Sequence, residues 1–167
     1  MAEKELVIEE NFDHSGIFDF NAFYKFMHGW LDDEGFGVIE RRYSEKISGN
    51  TRDIAFEWFA TKAVSDYFRI EIKMKFEAEK LNDVEVEIDG DKKKMNKGKV
   101  KGKFEAALVK DPDSKWDRAP FTRFMRDVYN KYIIPARIGN MQEEVRKYVI
   151  TFKEAIKRFL ELSGRRD

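Results

Sequence analysis

The sequence predicts an α+β domain: an antiparallel sheet of about six strands, with an N-terminal helix and a long C-terminal helical segment packed on one face. Three observations carry that expectation. Phe68, Ile70, Ile72, Met74, Phe76 and Ala78 alternate with Arg69, Glu71, Lys73, Lys75, Glu77 and Glu79. Strand side chains point to opposite faces with period two, so this is one long strand with an apolar and a charged face. Such a strand belongs in an antiparallel sheet that is wet on one side. Second, further alternating segments flank it, separated by turn composition. Third, Met141, Val145, Tyr148, Val149, Phe152, Ile156, Phe159 and Leu160 follow helical spacing near the C-terminus. Strands first and a long helix last make a two-layer α+β arrangement.

Taken in order, residues 5–12 form a first strand, with Leu6, Ile8 and Phe12 on one face and Glu10 out of place among them. Asp13-His-Ser-Gly16 has turn composition. Asp19 caps a helix, Phe18 staples onto Phe23, and Phe20, Phe23, Tyr24, Met27, Trp30 and Leu31 line its buried face. The helix stops at Gly35. Asp32, Asp33 and Glu34 crowd its C-terminus, where the macrodipole disfavours anions. Residues 36–47 are a second strand, with Ile39, Tyr43 and Ile47 in phase. A turn at Ser48–Thr51 leads to residues 53–62, with Ile54, Phe56, Trp58 and Ala60 on one face and Phe59 on the other. Residues 63–66 connect to the long strand, which Asn82 ends. Val84, Val86 and Ile88 make another strand, and Asp89-Gly90 a tight turn. A lysine-rich segment and Asn96-Lys-Gly98 lead to a last strand over 99–110. Asp111-Pro-Asp-Ser114 closes the sheet. A helix begins near Pro120 with Phe121, Phe124, Met125, Val128 and Tyr132 as its stripe, Pro135 and Gly139 interrupt, and Asn140 with Glu143 resembles a capping box. The tail from Gly164 to Asp167 frays.

A chain of 167 residues favours one domain, 1–167. Lys plus Arg and Asp plus Glu both number 32, a balance that argues against a domain built to bind nucleic acid over its whole surface. Charged residues at 38% and aromatics at 14% describe a solvated surface over an aromatic core. The absence of cysteine excludes disulfides, thiolate zinc sites and cysteine nucleophiles. The start, Met-Ala-Glu-Lys-Glu, lacks the pattern of a secretory signal. Apolar runs of about four residues fall far short of the ~20 a spanning helix needs. No membrane-spanning segment and a cytoplasmic location are therefore expected. Abundant Lys and Glu with a single glutamine, Gln142, point to a heat-adapted source.

This order of elements resembles the helix-grip fold of START-type lipid-transfer domains and pollen-allergen-like proteins, in which a curved sheet wraps the last helix. The likeness covers most of the chain and is one of order. One helix stands after the first strand where the family has a pair, and Pro135 divides the terminal helix. The resemblance implies a cavity for an apolar ligand between sheet and helix, lined here by Trp58, Phe68, Ile72, Phe104, Phe152 and Ile156. Separately, Glu87-Ile-Asp-Gly90, Asn96-Lys-Gly98 and the segment from Trp116 to Phe121 look like those of a family of small uncharacterised archaeal proteins, a resemblance that implies no chemistry.

No catalytic residue, metal ligand or cofactor motif emerges, and an enzyme is not expected. His28 and Asp32 lie four apart on the first helix, two ligands where catalytic zinc takes three. Ser15 beside His14 is adjacency without geometry, and there is no glycine-rich phosphate loop. The compositional anomaly is Lys92, Lys93, Lys94, Lys97, Lys99, Lys101 and Lys103, with no acid among them. On a hairpin Lys99, Lys101 and Lys103 line one face, either a ridge for phosphates of RNA or anionic lipid, with Phe59 as a base-stacking partner, or a solvated face that guards against edge pairing. The leading expectation is a non-enzymatic binding module that holds an apolar small molecule or a protein partner between sheet and terminal helix. The alternative is an accessory protein that grips RNA or a ribosome through the lysine hairpin.

Overall fold

The spine of the sheet is a single hairpin of two long strands. The computed structural model describes residues 3–65, 67–110, 124, 125, 128 and 135–164. In chain order these form β1 (Glu3–Phe18), α1 (Phe20–Asp33), β2 (Gly37–Ser48), β3 (Thr51–Ala63), β4 (Phe68–Ile88), β5 (Asp91–Lys110) and α2 (Pro135–Gly164). The sheet is antiparallel throughout, in the order β1-β5-β4-β3-β2. Among the described residues it has five strands rather than about six, because Asn82 does not end β4. Asn82 pairs with Lys97 and the ladder continues to Ile88 opposite Asp91. A bulge at Lys80, whose φ is +53°, absorbs the break in alternation that looked like a strand end. The lysine-rich segment and Asn96-Lys97-Gly98 are likewise strand. The turn at Asp89-Gly90 has positive φ at both residues, as the hairpin requires.

Turn composition at Asp13–Gly16 is also overridden. Those residues stay in β1, paired with Lys101 to Gly98 of β5, since a ready partner strand outweighs local propensity. A bulge at Val7 between Leu6 and Ile8 flips the start of β1, so Leu6 points outward and is exposed, while Ile8 and Phe12 face the core. A second bulge at Arg41 does the same to β2: Ile39 lies on the outer face, Tyr43 and Ile47 on the inner.

Both helices lie on the apolar face. Asp19 caps α1 by accepting the Ala22 amide at 3.2 Å, and Phe18 meets Phe23 at 5.9 Å between ring centroids. Asn96, buried on β5, accepts the Phe20 amide at 3.0 Å and satisfies another free N–H of the first turn. α1 covers β3, with Tyr24 set 5.2 Å from Phe56 and 5.1 Å from Trp58. α2 lies over β1 and β5. The misplaced Glu10 is explained here, for it faces the helices and accepts from Lys153 of α2 at 2.9 Å. Gln142 of α2 reaches Glu5 in the same way. Phe68, Ile70, Ile72, Met74 and Phe76 of β4 and Val149, Phe152 and Ile156 of α2 are buried in one core, with Phe159 packed against it. Gly102 leaves room for Phe12: a Cβ there would sit 2.3 Å from the Phe12 ring.

Helix α2 starts at Pro135 and runs unbroken through Gly139 and Asn140, so Gly139 does not interrupt it and Asn140 is no cap. The expected turn at 111–114, most of the helix from Pro120, the Trp116–Phe121 segment and residues 165–167 lie outside the described residues. Phe124 and Met125, expected in a buried stripe, are exposed. Among the described residues no helix is long and apolar enough to cross a membrane.

Candidate functional site

Between the sheet and the helices, the described apolar side chains pack against one another in one core. Trp58, Phe68, Ile72, Phe104, Phe152 and Ile156 are all buried. Phe152 lies 5.4 Å from Phe104 and stacks on Trp30 at 4.8 Å, and Trp58 stands edge-on to Phe76 at 5.3 Å. Phe68 borders a surface depression of about 320 Å³ together with Val64, Ser65, Arg137, Asn140 and Met141. 

The lysines occupy β5 as a strand, with Lys97, Lys99, Lys101 and Lys103 exposed on the outer face. Acids of β4 and β5 interleave with them. Lys101 reaches Glu79 at 2.9 Å and Glu77 at 3.3 Å, hydrogen bonds that raise its pKa. Lys103 pairs with Glu105, and Lys94 with Asp83. Phe59 is on this face as expected, covered by the Arg41 guanidinium 4.0 Å from its ring centroid. His28 stands exposed on α1 with its ring edge-on to Trp58.

A different place combines open volume with chemistry. Between the end of α1 and α2 lies a cleft of about 800 Å³ lined by Trp30, Glu34, Asn140, Glu143, Glu144, Lys147, Tyr148 and Thr151. The α2 residues recur at three- and four-residue spacing, which puts them on one stripe of the helix. Trp30 projects from the last turn of α1, with Phe152 behind it. Behind the cleft lies Lys62. It continues the inward phase of Ile54, Phe56, Trp58 and Ala60 along β3, so its stem runs through the core edge. Its ammonium donates to the Tyr148 hydroxyl at 2.6 Å and to the Glu34 carbonyl oxygen at 2.7 Å. It also sits 4.8 Å from the Tyr148 ring centroid and 5.9 Å from that of Phe36. The second bond places a cation on the C-terminal carbonyls of α1, where the dipole favours it. Glu143 is held by Arg146 one turn along.

Sequence reasoning missed Lys62, Trp30, Glu34 and Tyr148 as a group. Two signals were available: a lysine in phase with an apolar strand face, and three acids at a helix end where they are disfavoured. No family model, curated protein or solved structure matches this chain.

Proposed function

We propose that the protein is a non-enzymatic binding module that takes a small molecule with an apolar body in the cleft between the end of α1 and α2. The observation that carries this reading is the cleft's composition: two aromatic rings, Trp30 and Tyr148, in a concavity of about 800 Å³ with a few polar groups around it. Ligand sites have this character, apolar walls with a small number of convergent polar groups. The ligand would lie beside the terminal helix, on the flank that faces the end of α1. Purified gently from its source cell, the protein should carry a small molecule detectable by native mass spectrometry. Thr151→Tyr, which fills the cleft from an exposed position, should abolish that species. Recovery of the same species with the variant would refute the reading.

The polyanion reading retains one favourable observation, the outward row of Lys97, Lys99 and Lys103. The acids beside it reduce the net field that a phosphate chain would feel.

A further inference from the structure

We infer that the cleft selects a ligand bearing a protonated amine, an inference that rests on the cleft being the binding site. Asp32, Asp33 and Glu34 end α1, where the peptide dipoles are already negative, and no basic residue stands in that last turn. Among the described residues none of these three carboxylates has an ion-pair partner. Of the three, Glu34 lines the cleft, and from the facing wall Glu144, half-buried and also unpaired among the described residues, adds a second carboxylate to it. Trp30 lines the same cleft, and the π-face of an aromatic ring attracts a cation, as the Tyr148 ring already does with Lys62. The acids at the end of α1 do not stabilise that helix, and with Trp30 they supply what an ammonium requires: anions and an aromatic face.

The protein's own chemistry supports the assignment. The Lys62 ammonium is held at this helix end by a carbonyl, a hydroxyl and two nearby rings, with no carboxylate among its partners. The carboxylates in front of it are left for another cation. Lys147 on the rim and Lys62 behind oppose that cation, and Arg146 already holds Glu143. The lining acids Glu34, Glu143 and Glu144 match these three bases, and Asp32 and Asp33 beside the cleft at the end of α1 tip the local field negative.

The test uses three probes with one phenyl body and different charge: phenethylamine, 2-phenylethanol and phenylacetate. Binding is read from the indole N–H signal of Trp30 in isotope-labelled protein, assigned with Trp30→Phe. Phenethylamine should bind at least about ten-fold more tightly than either other probe at low salt, and lose that advantage as salt screens the carboxylates. Glu34→Gln with Glu144→Gln should remove the amine preference, so that phenethylamine and 2-phenylethanol bind the variant alike. Equal binding of all three probes would overturn the amine inference while leaving the cleft as the site. Failure of every probe to move the Trp30 signal would sink both. A tetralysine peptide tests the source: weaker binding than phenethylamine supports a small-molecule amine, and tighter binding would overturn the small-molecule reading in favour of a lysine of a partner protein.

Discussion

Lys62 joins the end of α1, strand β3 and helix α2 through one ammonium group. Lys62→Met keeps the stem and removes both donors. It should cost about 1–3 kcal/mol by denaturant titration, the range for hydrogen bonds to a charged group. Tyr148→Phe should cost less, and the double variant should be less destabilised than the sum of the two, because they share a bond. His14 gives a second prediction at this scale. It faces the helices opposite Val100, and its Nε2 is buried without a hydrogen-bond partner. Burial lowers its pKa below the ordinary 6.5, against the pull of Glu161 and Asp13. A histidine held neutral by the fold takes up its proton more readily when unfolded, so its contribution to stability is present above about pH 6.5 and lost as pH falls below it. Urea midpoints should therefore fall more between pH 7.5 and 5.5 for the wild type than for His14→Gln.

At the scale of elements, each helix and strand shows where its stability resides. Gly29 lies inside α1, and a Cβ there would meet nothing within 4 Å. Gly29→Ala should stabilise by about 0.5–1 kcal/mol, measurable as a higher melting temperature. Gly102→Ala should do the opposite, by about 1–3 kcal/mol, since the new methyl overlaps the Phe12 ring. Ile72 is buried at the centre of β4, and Ile72→Ala should cost about 2–5 kcal/mol. A loss under half of that range would mean that the surrounding side chains collapse into the space.

Over the whole molecule, the outer sheet face is a lattice of alternating charges. A salt titration of RNA binding reads its net effect: a grip through Lys97, Lys99 and Lys103 should give a log–log slope of roughly −2 to −3. Glutamine at all three positions should flatten it, and no binding by the wild type at low salt would remove the polyanion reading. The open edge, β2, exposes Ile39, Tyr43 and Ile47 at 61%, 48% and 70%. The bulge at Arg41 and the charges of Arg42 and Lys46 discourage another strand from adding there. Replacing Arg42 and Lys46 together by valine should increase self-association in sedimentation experiments at matched concentrations.

The sequence by itself determined the class of fold, the apolar face of β4, the cap and staple of α1 and the stripe of α2. Each follows from a period or a local hydrogen bond within a few residues. Only the tertiary structure decided the rest. The bulges at Val7, Arg41 and Lys80 shift side chains from one face to the other, and a one-residue shift leaves little trace in composition. Turn-like Asp13–Gly16 and Asn96–Gly98 became strand because long partners lay alongside. The cleft was illegible for a related reason: Glu34 is 28 positions from Lys62 along the chain, and Tyr148 stands 86 from it. What brings them together is the packing of two helices on one sheet, which no local pattern encodes.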